Sequence, residues 1–321
     1  MSTVDALRQG KRRELLARLA EVRGVMLDID GCLVLSDGPS GHGGRLLGGA
    51  REVIDLVRAT GRSMAVFTNG SMQATGRIAE TLRSLGLDVR DEEVLTPAVV
   101  AAETMRTRHP GQPVLVFGGP GMQGEFRQRG IPMVDLDRAI AGEPTDAAAV
   151  VIGWDTGFGR DKLQVAAEAV LAGATIYCTS DAPSFASERR LNVGVSGFIA
   201  SGLSHVTGRP YRVLGKPSRE ALDLLAGRLR VRPEQMLIIG DDLDLECAMA
   251  RSAGALGFLV TTGTSSAADA VAAPPDRRPD FVADGMTEVL ELLALASRQH
   301  RGRTIGTREE GDNAAQRQRS S

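Results

Sequence analysis

The chain has 321 residues, a length that suits two compact domains, or one domain with a large insertion, better than one small core. Its 40 acidic residues nearly balance 38 lysines and arginines, and aromatic residues make up 3% of the sequence, so both facts argue against a nucleic-acid partner. No apolar run approaches the roughly 18 residues of a membrane-spanning helix, and the N-terminus lacks a signal-peptide core, so we expect no membrane association.

The chain begins with a basic amphipathic segment, residues 1–21, which predicts a surface helix that leads into the first strand. After it, short apolar runs alternate with amphipathic stretches. Strands are predicted at Val25–Leu27 and Ser63–Phe67, and helices at 50–59 and 72–85. Apolar runs without alternation fit strands that are buried on both faces, so this βαβα order predicts a doubly wound parallel sheet.

A second α/β unit, residues 96–204, interrupts this pattern and is predicted to be an inserted domain. The core domain would then comprise residues 22–95 and 205–297. Residues 298–321 are charged and lack apolar periodicity, which predicts a disordered tail. Further strands are predicted at 114–117, 147–152 and 174–178 in the inserted unit, and at 235–239, 255–260 and 278–283 in the returning core.

Four strand ends carry the residues that could perform chemistry: Asp28 with Asp30, then Thr68, Lys216 and Asp241. In doubly wound sheets ligands bind at the carboxyl ends of the strands, so we expect these side chains to converge. Two carboxylates at the end of a buried strand need a cation, hydrogen-bond donors or open water. The three later strand ends would supply such partners.

The segments DIDGCL, FTNGS, GKPS and GDDLDLE, in this order, resemble the four motifs of the haloacid dehalogenase (HAD) superfamily. The inserted unit resembles the large α/β cap of the NagD-type, or subfamily IIA, phosphatases. The resemblance covers roughly residues 22–295 and implies a doubly wound, Rossmann-like HAD core with an inserted α/β cap domain. It also implies a phosphoric monoester hydrolase that depends on Mg²⁺ and forms an aspartyl-phosphate.

The resemblance assigns roles to the strand-end residues. Asp28 would be the nucleophile, and Asp30 would be the general acid for the leaving oxygen and then the base for the attacking water. Lys216 would hold the nucleophile and the transferring phosphoryl group. Hydrogen bonds to the phosphoryl oxygens would come from backbone amides and polar side chains. These phosphate-binding residues would be Thr68, Asn69, Gly70 and Lys216.

A Mg²⁺ site is implied by the same resemblance. Its ligands would be the side chains of Asp28 and Asp241 and the backbone carbonyl of Asp30, because hard oxygen ligands and several waters suit this ion. Asp242 and Glu246 could contact the water shell of the metal. The family usually ends its fourth motif in threonine and aspartate, whereas this chain has leucine and glutamate there.

The cap loop also departs from the family, which usually carries a Thr-Asn-x-Asp run after this strand, whereas this chain has Thr179-Ser180-Asp181-Ala182. Because the loop is expected to face the substrate, the difference predicts a substrate outside the family's commoner ones. The cap residues predicted to contact the leaving group are Asp181, Ser184, Glu188 and Asn192.

The favoured function is a phosphatase for a small phosphorylated metabolite, either a sugar phosphate or a nucleotide-like compound. The few aromatic side chains of the cap favour the sugar phosphate. Two alternatives remain open: a phosphomutase with the same core, and a non-catalytic or regulatory HAD-fold binding protein. A dehalogenase is disfavoured, because the dehalogenases of the superfamily lack the second aspartate, here Asp30.

Location and assembly are predicted from weaker signals. The cysteines Cys32, Cys178 and Cys247 lie far apart and form no CxxC pair. This spacing predicts neither a zinc site nor a disulfide framework and favours the reducing cytoplasm. Caps of the NagD type often help to form dimers among relatives, so a homodimer is a further prediction.

Overall fold

The structure is a computed structural model and describes residues 12–36, 43–185 and 192–298. Residues 1–11 of the predicted N-terminal helix lie outside the described residues, and so does the predicted tail after its first residue. Within the described ranges, no helix has both the length and the apolar character needed to cross a lipid bilayer.

The N-terminal part of the core alternates strands and helices as predicted. The first helix buries three leucines against the core, and the strand after it is buried along its whole length. No sequence pattern predicts the antiparallel pair of strands that follows, because each strand has only two residues. In chain order these elements are α1 (Arg12–Glu21), β1 (Gly24–Leu27), β2 (Val34–Leu35), β3 (Arg45–Leu46), α2 (Ala50–Ala59), β4 (Ser63–Phe67), α3 (Thr75–Ser84) and β5 (Val94–Leu95).

The inserted unit, here called the cap, builds a sheet and helices of its own. In chain order its elements are α4 (Pro97–Arg108), β6 (Val114–Phe117), α5 (Pro120–Gln128), α6 (Leu136–Ile140), β7 (Ala149–Ile152), α7 (Arg160–Leu171), β8 (Thr175–Cys178), β9 (Ser184–Phe185), β10 (Asn192–Val193), α8 (Val195–Thr207) and β11 (Tyr211–Val213). Four of these strands form a parallel sheet in the order β11-β8-β7-β6, and β9 and β10 pair in antiparallel orientation.

The end of the cap differs from the predicted boundary at residue 205. Strand β11 continues the cap sheet, with Tyr211 opposite Ile176 and Val213 opposite Cys178. By this pairing the cap sheet extends to Val213, and the core resumes at Leu214. A three-residue strand has the same sequence pattern in either domain, so the boundary could not be placed from the sequence. The helix α8 before it also escaped prediction, since it is rich in glycine and serine, which have weak helix propensity.

After the cap, the chain returns to the core with two strands that are buried along their whole length. The predicted helix after the first of them begins as a π-helical turn. In chain order the elements are α9 (Arg219–Leu229), β12 (Met236–Gly240), the π-helical turn (Leu243–Cys247), α10 (Ala248–Ala253), β13 (Leu256–Val260), α11 (Ala267–Ala272), β14 (Phe281–Ala283) and α12 (286–298).

The core sheet has six parallel strands in the order β14-β13-β12-β1-β4-β5, which confirms the predicted doubly wound sheet. Both faces of β1 are buried: Val25 and Leu27 belong to one core cluster and Met26 to the other. The chain leaves β1 toward β4 on one side and returns to β12 on the other, so the strand order switches at β1. Ligands bind at the carboxyl ends of strands beside such a switch point.

Candidate active site

The polar strand ends meet at the carboxyl edge of the core sheet. They surround a small cavity of about 20 Å³ that the ends of β1, β4 and β12 share with the cap. The predicted residues that line it are Asp28, Asp30, Thr68, Asn69, Ser184, Lys216, Asp241, Asp242 and Glu246. Phe185, Leu245 and Thr264 complete the lining.

Lys216 is the centre of the charge arrangement. Its side chain is 1% exposed, and its Nζ donates to Asp28 Oδ1 and, at 2.7 Å, to the carbonyl oxygen of Phe67. The Oε1 atom of Glu246, whose side chain is also 1% exposed, lies 2.5 Å from the same nitrogen. A single buried ammonium group therefore faces two buried carboxylates and neutralises their charge only in part.

Burial and neighbouring charges act on the pKa values of this cluster. Burial by itself lowers the pKa of Lys216, but the carboxylates of Asp28 and Glu246 outweigh it, and the pKa is raised. Burial is also the largest influence on Asp28 and raises the pKa of that carboxyl well above its usual range. Lys216 opposes this increase, whereas Glu246, Asp241 and Asp30 add to it. The charges around Asp28 therefore favour the approach of a further cation.

Glu246 belongs to the π-helical turn after β12, and this turn places its side chain in direct contact with Lys216. One carboxylate oxygen faces the Lys216 ammonium group, and the other accepts a hydrogen bond of 3.2 Å from the Asp242 N–H. The glutamate fits because residue 240 is glycine: a Cβ at Gly240 would lie 2.1 Å from Glu246 Cγ. The extra methylene of Glu246 thus brings its carboxylate to the lysine, and its predicted contact with the water shell of a metal stays a prediction.

Asp241, at the end of β12, is held by the loop that follows β13. The Thr264 N–H donates to Asp241 Oδ2 at 2.6 Å. Two glycines make room for this carboxylate, since a Cβ at Gly31 or Gly263 would lie 2.6 Å or 2.0 Å from Oδ2. Burial, and then the charge of Glu246, raise the pKa of Asp241 from 3.8 to about 7.

The carboxylates Asp28 and Asp241 fit a hard divalent cation. Within the described ranges, no group of three or more His, Cys, Asp or Glu side chains has the arrangement of a metal site. A cation would therefore bind to two carboxylates, with main-chain oxygen and water as further ligands, an arrangement that suits Mg²⁺. Burial and like charge raise both carboxyl pKa values, so a bound cation would relieve an unfavourable charge distribution.

The loop after β4 is fixed by side-chain hydrogen bonds. Thr68 Oγ1 donates to Asp30 Oδ2 at 3.3 Å and accepts from the Gly70 N–H at 3.0 Å. The buried Asn69 side chain holds the backbone of Lys216: its Oδ1 accepts from the N–H at 3.0 Å, and its Nδ2 donates to the carbonyl at 3.2 Å. The loop therefore positions Asp30 and Lys216, and its predicted binding of phosphoryl oxygens stays a prediction.

Buried hydroxyl groups connect this loop to the cap. Asn69 Nδ2 donates to Ser180 Oγ at 3.4 Å, and Ser71 Oγ lies 3.4 Å from Thr179 Oγ1. Thr179 in turn donates to Ser196 Oγ at 3.3 Å. Since Thr179 and Ser180 follow β8, the cap loop contacts the core directly beside the lysine-bearing segment.

A larger cleft of about 690 Å³ opens beside the cavity, between the cap loop and the core. The cleft leads to the reaction centre, because four residues line both spaces. These residues are Ser184, Asp242, Leu245 and Thr264. Of the other predicted cap residues, Asp181 also lines the cleft, whereas Glu188 and the side chain of Asn192 lie outside the described residues.

Thr264 belongs to the site although the sequence motifs did not identify it. The signal was the polar segment Thr261–Gly263, which follows the apolar run of β13 just as the other polar residues follow their strands. A residue beyond such a run reaches the site through its loop, and the length and path of that loop depend on tertiary packing. The side-chain contact of Asn69 with the Lys216 backbone escaped prediction for the same reason.

Comparison with known proteins identifies the family. The profile of the haloacid dehalogenase-like hydrolases matches residues 25–132, and that of the HAD-hydrolase-like family matches residues 213–289. Chronophin from Rattus norvegicus is 28% identical over 91% of this chain and 94% of its own length. D-glycerol 3-phosphate phosphatase from Mycobacterium tuberculosis is 31% identical over 85% of this chain and 73% of its own length.

Solved structures share the fold. The glycerol phosphate phosphatase of Mycobacterium tuberculosis in complex with magnesium matches with a TM-score of 0.73 at 30% identity, over 86% of this chain and 77% of that chain. NagD from E. coli K-12 matches with a TM-score of 0.72 at 24% identity, over 83% of this chain and 98% of its own, a likeness in fold alone. The chain therefore belongs to the haloacid dehalogenase superfamily of hydrolases and, within it, to the NagD-like phosphatases of subfamily IIA.

Proposed function

We propose that this chain is a Mg²⁺-dependent phosphatase that hydrolyses a small phosphorylated metabolite through an aspartyl-phosphate at Asp28. The proposal is carried by the buried contact of Lys216 with Asp28, at the switch point of the sheet. A carboxylate that attacks a phosphoryl group must approach an anion, and the ammonium group of Lys216 offsets that repulsion.

Asp28 and Asp30 would divide the reaction between them. A carboxylate oxygen of Asp28 attacks the phosphorus while the bond from phosphorus to the leaving oxygen breaks, and Asp30 donates a proton to that oxygen. Asp30 then takes a proton from a water molecule that attacks the aspartyl-phosphate, which releases inorganic phosphate and restores Asp28. Before the substrate binds, Thr68 orients Asp30, because its hydroxyl group donates to Asp30 at 3.3 Å; on binding, this single proton would turn to a phosphoryl oxygen. Such acid–base catalysis contributes about 10²–10⁴-fold to the rate.

The remaining strand-end residues would stabilise charge. Lys216 would bind phosphoryl oxygens, together with the Thr68 hydroxyl group and the backbone amides of the loop after β4. Asp28 and Asp241 would hold Mg²⁺ together with the Asp30 carbonyl. When bound, the ion would offset the negative charge of the carboxylates and of the substrate. Contact of Asp242 and Glu246 with its water shell is part of the proposal.

We favour a polyhydroxylated metabolite as the substrate class, although the relatives also include phosphoglycolate phosphatases from Arabidopsis thaliana. The relatives include a glycerol phosphate phosphatase, and the cleft of about 690 Å³ beside the cavity has room for a leaving group of that size. We also propose that the protein works in the cytoplasm and assembles as a homodimer, as its sequence predicts.

Phosphate release in the presence of Mg²⁺ or EDTA tests the proposal, with p-nitrophenyl phosphate and a panel of sugar and polyol phosphates as substrates. We expect Mg²⁺-dependent release that Asp28→Asn abolishes. After an acid quench, mass spectrometry should detect a phosphoryl group on the peptide that carries Asp28. Asp137→Asn is a matched control, because it makes the same substitution at an exposed position of the cap.

Each alternative has its own outcome. Hydrolysis by Asp28→Asn at the wild-type rate would refute the assignment of the nucleophile. Isomerisation of a sugar phosphate without net phosphate release would indicate a phosphomutase. If the wild-type protein binds a phosphorylated compound but turns over none of the panel, it is a non-catalytic binding protein.

A further inference from the structure

The charged side chains that line the cleft beside the reaction centre are mainly acidic, four carboxylates against one guanidinium group among the described residues. Its charged residues, among those that the structure describes, are Asp181, Glu220, Asp242, Asp244 and Arg219. The single guanidinium group is already engaged, since Arg219 Nε lies 2.8 Å from Asp223 Oδ1. The described lining therefore contains four carboxylates and a single guanidinium group, which is paired with a carboxylate outside the lining.

Two of these carboxylates are balanced by neighbours. Asp244 Oδ1 lies 2.6 Å from Arg277 Nη1, and Glu220 Oε1 lies 2.9 Å from Arg108 Nη2. The other two, Asp181 and Asp242, form no ion pair with any residue of the described ranges. Asp181 is exposed at the cap loop, and Asp242 lines both the cleft and the cavity. Negative charge is thus concentrated where a leaving group would extend out of the cavity.

We infer that the leaving group of the substrate carries no anionic group: it is a neutral polyol or an alcohol with an ammonium group, and not a hydroxy acid or a second phosphate ester. The inference rests on the proposed function, because it places the leaving group in the cleft. Lys216 meets the charge at the phosphoryl end. An anion at the other end would lie within the roughly 10 Å over which Asp181 and Asp242 act at moderate salt.

The neutral groups of the cleft support the same substrate class. Hydroxyl groups in the lining can donate to or accept from the hydroxyl groups of a polyol. They belong to Ser184, Ser218, Thr264 and Ser265. No aromatic ring is among the described residues of this lining, so the cleft offers no stacking platform for a nucleotide base.

A set of three probes that share a two-carbon skeleton tests the charge preference. Phosphoethanolamine ends in an ammonium group, 2-hydroxyethyl phosphate in a hydroxyl group and phosphoglycolate in a carboxylate. Each probe competes with p-nitrophenyl phosphate in the presence of Mg²⁺, which ranks the three whether or not a probe is turned over. We expect 2-hydroxyethyl phosphate to be favoured over phosphoglycolate by about tenfold or more, and phosphoethanolamine to be at least as good as 2-hydroxyethyl phosphate.

Charge-removing variants locate the origin of the preference. Asp181→Asn and Asp242→Asn should each reduce the ratio between the hydroxyl and carboxylate probes by about threefold. Asp137→Asn, which removes an exposed cap carboxylate that does not line the cleft, should leave the ratio unchanged. High salt should also reduce the ratio in the wild-type protein, because exposed charges are screened.

The outcomes separate this inference from the proposed function. If p-nitrophenyl phosphate is hydrolysed but phosphoglycolate ranks equal to or above the other two probes, the inference is wrong and the proposed function stands. If the ranking holds but Asp181→Asn and Asp242→Asn change the ratio no more than Asp137→Asn does, the acidic cleft is not its cause. If p-nitrophenyl phosphate is not hydrolysed at all, the proposed function fails and the inference fails with it.

Discussion

The charge of Asp241 should make the metal-free protein less stable as the pH rises. The pKa of this carboxyl is raised from 3.8 to about 7, first by burial and then by Glu246, so the folded protein binds the proton more tightly than the unfolded chain does. The stabilising contribution is complete below pH 3.8 and is lost as the pH rises through about 7. A displacement of this size corresponds to about 4 kcal/mol, of which about 3 kcal/mol falls between pH 8 and pH 5.

The substitution Asp241→Asn removes this titration while it keeps the size of the side chain. In EDTA, the free energy of unfolding of the wild-type protein should increase by about 3 kcal/mol relative to that of the variant as the pH falls from 8 to 5. Excess Mg²⁺ at pH 8 should stabilise the wild type by about 2.7 kcal/mol at 100 times its Kd and leave the variant almost unaffected. Urea denaturation at several pH values measures both effects.

The test compares the two proteins at two pH values. Any change in the free energy of unfolding that the asparagine causes at every pH therefore cancels. Asp137→Asn provides the control for a general loss of negative charge, since this residue is exposed. A stability difference between wild type and Asp241→Asn that does not change between pH 8 and pH 5 would refute the charge assignment. If the free energy of unfolding of the wild type instead fell relative to that of Asp241→Asn as the pH is lowered, the direction of the pKa shift would be wrong.

Three further substitutions test other contacts of the site. Asp30→Asn should lower kcat/KM for alkyl phosphates about 10²–10⁴-fold, and that for p-nitrophenyl phosphate less, because its leaving group needs no proton. Values of kcat/KM that fall equally for both would contradict the acid role, since kcat/KM does not include the later hydrolysis of the aspartyl-phosphate, in which Asp30 acts on both substrates alike. Glu246→Gln should lower kcat, since Glu246 contacts Lys216, and should raise the Mg²⁺ concentration for half-maximal activity only slightly, since the variant loses at most a contact through water. A large rise of that concentration with kcat unchanged would show that Glu246 binds the metal directly. Gly240→Ala should lower the free energy of unfolding by about 1–3 kcal/mol, because its Cβ would lie 2.1 Å from Glu246 Cγ. In urea denaturation this loss should shrink in the Glu246→Ala background, and an equal loss in both backgrounds would exclude the clash.

The sheet and its motifs were predictable because each strand carries its own signal. Val25–Leu27 is a continuous apolar run, which fits burial on both faces, and the structure buries it on both faces. The charged residues that follow such a run stand out against it, and the carboxyl ends of parallel strands share one edge. The convergence of Asp28, Lys216 and Asp241 therefore followed from local patterns and a general rule of topology.

Contacts between segments that are distant in the chain could not be predicted from local sequence patterns. Glu246 reaches Lys216 only because the turn after β12 is π-helical and residue 240 lacks a Cβ. Both features depend on packing, and the sequence motif alone suggested a role near the metal. The assignment of β11 to the cap sheet likewise depends on strand pairing, which a run of three residues does not specify.

The course of the chain from the cap to the catalytic lysine restricts how the two domains can move. β8 holds Tyr211–Val213 in the cap sheet, and Asn69 holds the backbone of Lys216 in the core. Only Leu214 and Gly215 lie between these two anchors, so the three residue steps from Val213 to Lys216 span about 10 Å when fully extended. Gly215 is also closely packed, since a Cβ there would lie 2.3 Å from the Thr179 carbonyl. Any swing of the cap must therefore be absorbed by backbone rotation at these two residues, or it pulls the ammonium group of Lys216 away from Asp28.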